Sequence, residues 1–161
     1  MGDNLVLELR RFRQAATNFI ETVNLSSSLE REAFLSSVSC CLAELYSSAL
    51  YLPAVAPETA EVDETPFPTE QWAGLFQSIK EKIGPLDAYW VIFDSTEKDA
   101  PAQGSLAGDI SEIYYDLRQD LQLEEKGTPH ADLMWELRES FRHHWGRHAI
   151  GALKAIYDLH L

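Results

Sequence analysis

A chain of 161 residues fits one domain, taken as 1–161, and surface scaling has it bury roughly 70% of what the unfolded chain exposes. Hydrophobic residues make up 45% and charged residues 24%, which excludes a disordered chain, and no run of about 18 apolar residues predicts a membrane span. The formal net charge of −13 argues against a nucleic-acid partner, because phosphate binding needs clustered Lys and Arg, and favours a basic protein or a metal ion.

The N-terminal MGDNLVLELRR has an early acid and no long apolar stretch, so it is not expected to be a secretion signal, and a cytoplasmic location follows. Leu5, Leu9, Phe12, Ala16, Phe19 and Val23 recur at three- and four-residue spacing and predict a first helix. Ser27 stands three residues before Glu30 as a capping box, and Phe34, Val38, Cys41, Leu45, Ala49 and Leu52 carry a second helix to Pro53. The adjacent Cys40 and Cys41 diverge by about 100° on that helix, so they read as packing residues without a mutual disulfide. Residues 53–68 hold four prolines and four acids with no base, and predict an exposed crossover.

Thr69 is placed to cap a third helix with Trp72, Leu75, Phe76 and Ile79 on its apolar face, ended by Gly84 and Pro85. Residues 86–94, LDAYWVIFD, are too short and uniformly apolar for periodicity to decide; with no second strand in view they read as a short buried helix. Residues 95–104 read as a loop. Ser105 caps a fourth helix, which runs through Leu106, Ile110, Ile113, Tyr114, Leu117 and Leu121 to Gly127. Thr128 and Pro129 start a fifth, carrying Leu133, Leu137, Phe141, Trp145, Ala152 and Ile156. The fold class that follows is all-α: a single-domain bundle of five to six helices with a long acidic, Pro-rich connection after the second helix.

The fourth helix carries Asp109, Glu112, Asp116 and Asp120 within an arc of about 80°, beside its apolar stripe. On the fifth, His144 and His148 fall among Leu137, Phe141 and Ala152, in the face expected to be buried, while His143 points outward. Two histidines at i and i+4 are spaced to chelate one divalent cation, and Asp109, Glu112 and Asp116 from a facing helix would complete the ligand set. The structural alternative is that each acid hydrogen-bonds a histidine and staples the two helices. Tyr89, Trp90, Phe93, Tyr114, Trp135 and Trp145 make an aromatic set able to line a ligand pocket. Arg138 is suited to an anion or to pairing with an acid such as Glu112. No nucleophile triad or glycine-rich phosphate loop appears in the sequence.

The stretches YWVIFD (89–94), GSLAGDISEIYYDL (104–117) and WELRESFRHHWGRHAIGAL (135–153) together resemble a bacterial family known as domain of unknown function 5063. The likeness spans residues 86–157, with the first three helices alike in pattern only. It implies a small bacterial helical domain and supplies no activity or cofactor. It sets Trp90, Asp94, Asp109, Tyr114, Asp116, Trp135, Arg138, His144, Trp145, Gly146 and His148 on motif positions; Val91, Ser95, Leu137 and Glu139 depart from the pattern. The function expected is a non-enzymatic interaction or regulatory module with an acidic surface. The alternative is a divalent-metal-binding bundle or metal-dependent hydrolase using acids of the fourth helix and histidines of the fifth.

Overall fold

A computed structural model describes residues 2–59, 69–92, 96, 98 and 100–161. The helices are α1 (Gly2–Asn24), α2 (Arg31–Leu50), α3 (Thr69–Ile83), α4 (Leu106–Glu125), α5 (His130–Ser140) and α6 (Gly146–Asp158), the last two joined by a π-helical turn at Phe141–Trp145. Between α3 and α4 lies an antiparallel hairpin of β1 (Ala88–Val91) and β2 (Ala102–Ser105), with Tyr89 opposite Gly104 and Trp90 opposite Gln103.

The predicted stripes form one core. Phe12 and Phe19 of α1, Val38 and Leu42 of α2, Ile79 of α3 and Ile110, Ile113 and Leu117 of α4 belong to a single buried cluster. α4 is its axis, packing on α1, α3, α5 and α6, while α2 packs on α1 and α6. Both ends of α4 are set as the sequence predicts. Ser105 Oγ accepts the Gly108 N–H at 3.0 Å, and the buried Asp87 adds a second clamp by accepting from Ala107 N at 2.7 Å and from the Ser105 hydroxyl. At the far end Gly127, at φ +79°, lets its own N–H reach Glu124 O and that of Thr128 reach Leu123 O, a paired closure that a left-handed residue makes possible.

Several expectations are corrected. Residues 88–91 are a strand, not a buried helix, because a partner exists inside the stretch read as loop: Ala102–Ser105 has turn-like composition yet pairs along its length. The fold is therefore mainly helical with a small sheet, not all-α. Ser26–Ser28 form a 3-10 turn and the N-cap of α2 is Glu30, with no side-chain cap, so the Ser27 capping box does not form. α2 is long and apolar enough by composition to cross a membrane, contrary to the sequence expectation; here Phe34, Leu35, Val38, Leu42 and Leu45 are buried in the core. Thr69's capping role and residues 60–68 of the connection lie outside the described side chains.

The last helix is not the regular one predicted from Thr128. It opens after Pro129 without a side-chain cap and is interrupted by the π turn. Leu133, Leu137, Phe141, Trp145 and Ala149 follow at intervals of four, and all are buried. In a regular helix each such interval drifts the stripe by about 40°, so four of them would carry it about 160° off the core. A π turn takes an extra residue into one turn and sets the stripe back by roughly one residue's rotation, about 100°. Its closing bond runs from Gly146 N to Phe141 O, and a Cβ at position 146 would stand 2.4 Å from that oxygen. Glycine is what lets the turn close.

α5 also holds the start of the connection after α2. Asp132 is fully buried and accepts from Glu58 N at 2.5 Å, Thr59 N at 3.1 Å and Thr59 Oγ1 at 2.7 Å, and Arg138 Nη1 donates to Leu52 O at 2.6 Å. Pro53 and Val55 are half-buried while residues 56–59 are exposed, so the described part of this connection is anchored and not free. The Thr59 hydroxyl above all, then the Thr59 and Glu58 amides, hold the Asp132 carboxyl below its ordinary value of 3.8, against the opposing effect of burial. A depressed carboxylate pKa contributes stability that is present above the unfolded value and lost as pH falls through the folded one. The melting-temperature gap between wild type and Asp132→Asn is therefore expected to be widest near neutral pH and to close below about pH 4. Thermal melts across pH 3–7 check this, and a gap that stays constant would refute it.

Candidate functional site

Where α4 packs against the π turn and α6, two acids meet two histidines, His144 in the turn and His148 in the helix. His148 Nδ1 lies 2.8 Å from Asp109 Oδ1, and His144 Nδ1 lies 2.5 Å from Asp116 Oδ2. The imidazoles stand 5.1 Å apart between centroids and are inclined at 66°. Their side chains are 41% exposed for His144 and 21% for His148, so they flank the core where the wheel had placed them inside it. His143 points outward as expected and lies 3.0 Å from Glu139.

Asp109 has a second partner supplied by the hairpin. The Tyr89 hydroxyl donates to Asp109 Oδ2. Two glycines make the path. A Cβ at Gly104, directly across the sheet, would stand 2.7 Å from Tyr89 Cζ, and one at Gly151 of α6 would stand 2.6 Å from its hydroxyl. Tyr89, Asp109 and His148 thus form a continuous chain of hydrogen bonds, and its last atom, His148 Nε2, is buried with no partner among the described residues. Burial, and then the bond to Asp109, push the Tyr89 phenol well above its ordinary pKa. Burial also raises the Asp116 carboxyl, with the His144 hydrogen bond and charge opposing and Glu112 adding to the rise.

The other sequence candidates separate. Glu112 lies between Asp109 and Asp116 on α4, near enough to act electrostatically on Asp116 and on Tyr115, whose phenol burial raises to about 12. Arg138 is turned to the Leu52 carbonyl instead of to Glu112 or an anion. Of the described members of the aromatic set, only Tyr89 reaches the acid–histidine seam. Trp145 is fully buried against Phe12 and Phe141, Tyr114 donates to Asn24 Oδ1 at 3.0 Å, Trp135 is half-buried, and Trp90 is 71% exposed on the opposite face of β1. Phe93 and Asp94 lie outside the described residues.

A cleft of about 280 Å³ opens beside the His144–Asp116 pair, between α4 and α5. Asp116, Asp120, Glu136 and Glu139 line it, with Lys126 the one lysine and Leu123 the one apolar side chain. Glu136 and Glu139 were not singled out in the sequence, although their spacing of three on a helix places both on one face. Among the described residues no three His, Cys, Asp or Glu side chains are arranged to hold a metal ion, since Asp109 and Asp116 each accept from a histidine.

Comparison with known proteins supports the fold and leaves the chemistry to the residues. The family described as "Domain of unknown function (DUF5063)" matches residues 5–161, and the chain belongs to it. The match extends through the first three helices, beyond the 86–157 on which the sequence motifs had placed it. The crystal structure of protein BF1032 from Bacteroides fragilis is similar, with a TM-score of 0.80 at 20% identity over 96% of this chain and 92% of that one. No curated protein matches the sequence.

Proposed function

We propose that this DUF5063-family chain is a non-enzymatic interaction module, acting as one cytoplasmic domain, whose α4–α5 cleft receives a cationic side chain of a basic protein partner. The observation that carries the reading is the cleft's composition: four carboxylates face about 280 Å³ with one lysine among them, in a chain of net charge −13. Side chains held on packed helices keep those carboxylates in place before binding, so ordering them costs little, and charge complementarity would set both partner choice and encounter rate. The same charge disfavours nucleic acid and anionic membrane surfaces.

Calorimetric titration with a Lys- and Arg-rich peptide tests this. Binding is expected to weaken about tenfold, roughly 1.4 kcal/mol, in Glu136→Gln/Glu139→Gln, and to fall as salt shortens the Debye length. Glu70→Gln/Glu81→Gln, which removes the same two charges from the exposed face of α3, is expected to leave it unchanged. Equal losses in the cleft and control variants would reduce the effect to net charge and overturn the reading.

A further inference from the structure

We propose that the α4–α6 seam is a divalent-metal site whose ligands are the Nε2 atoms of His144 and His148, with Asp109 and Asp116 orienting the rings from outside the coordination sphere. This reverses the role that spacing alone gives the acids; the site shares His144 and Asp116 with the rim of the α4–α5 cleft but does not require a cationic side chain to enter it.

Each carboxylate occupies an Nδ1, at 2.8 Å for Asp109 on His148 and 2.5 Å for Asp116 on His144. A carboxylate on Nδ1 fixes the tautomer with the proton there, leaves the Nε2 lone pair free and raises its basicity, the arrangement that supports metal-bound histidines. Both rings of the i, i+4 pair are prepared alike. Two imidazoles bound through Nε2 at about 2.1 Å around a tetrahedral ion have centroids roughly 5 Å apart, and these stand at 5.1 Å. Among the described residues His148 Nε2 is buried without a hydrogen-bond partner, a state that a polar atom rarely keeps and that a bound ion relieves. Asp109 is itself held by the Tyr89 hydroxyl, which reaches it only because positions 104 and 151 are glycine. That is more construction than a simple helix staple requires. Two imidazole nitrogens are donors of the kind zinc accepts, and ligands from outside the chain would have to supply its remaining positions.

The test is titration of tag-free protein with zinc chloride, read by calorimetry and by imidazole nitrogen NMR. One zinc per chain is expected, with the Nε2 resonances of His144 and His148 moving on addition. His144→Ala and His148→Ala should each abolish uptake, Asp109→Asn should weaken it about 10- to 100-fold, and the outward His143→Ala should leave it intact. Because the NMR arm uses the wild-type chain, a variant that fails to fold does not blunt the test. Nε2 resonances that stay fixed at saturating zinc, or uptake that persists in both alanine variants, would overturn the proposal.

Discussion

Trp145→Ala is expected to lower the free energy of unfolding by about 3–5 kcal/mol, the largest loss anticipated for any single substitution in this chain. The indole is fully buried, 4.8 Å from the Phe141 ring and 6.3 Å from that of Phe12 between centroids, at the point where the last helix meets α1. Truncation would remove the largest fully buried side chain and leave a cavity that two neighbouring rings cannot close. Trp145→Phe should cost much less, because the indole N–H has no partner among the described residues and its removal breaks no hydrogen bond. Urea denaturation of the three proteins decides the matter. A loss under about 1 kcal/mol for the alanine variant would return Trp145 to the role of a pocket wall instead of a core residue.

The second large effect has a diagnostic sign. In the interior of a regular α-helix, Gly→Ala stabilises by roughly 0.5–1 kcal/mol. At Gly146 it is expected to destabilise by about 3 kcal/mol, because the new methyl would stand 2.4 Å from Phe141 O and 2.9 Å from the Phe141 ring. The oxygen cannot retreat, since it accepts the bond that closes the π turn. Relief would come by reverting to regular helix, which would rotate α6 about its axis by roughly 100° relative to α5 and turn Ala149, Ala152 and Ile156 out of the core. The same rotation would separate His148 from Asp109, so the variant should also change the His148 imidazole resonances. Stabilisation by Gly146→Ala would show that the last helix is regular in solution.

Much of the helical fold was legible because apolar periodicity reports burial directly. The stripes of α1, α2 and α4 became core almost residue for residue, and Ser105 and Gly127 end α4 as their chemistry requires. The hairpin was not legible, because β2 is Ala-Gln-Gly-Ser, a composition that says turn; only pairing with β1 makes it a strand. The π turn does leave a signal in the sequence, four successive intervals of four from Leu133 to Ala149, which no regular helix can keep on one face.

The candidate site divides the same way. Spacing along two helices brought Asp109, Asp116, His144 and His148 to one seam, and the structure pairs them one to one. Arg138 went elsewhere, donating to the Leu52 carbonyl past the end of α2 and not to an acid of α4. Tyr89 entered as an aromatic and proved a hydrogen-bond donor, because Gly104 and Gly151, 47 positions apart by number, leave the space its ring occupies.

By itself, then, the sequence determined which faces of which helices are buried, where α4 begins and ends, and that acids and histidines share a seam. These are properties of one helix at a time, set by a 3.6-residue period and by local backbone chemistry. The tertiary structure decided which acid holds which histidine, that the acids take Nδ1 and leave Nε2 open, that the hairpin exists, and that Trp145 is core. Each of those depends on contacts between segments distant along the chain, where no local period carries the information.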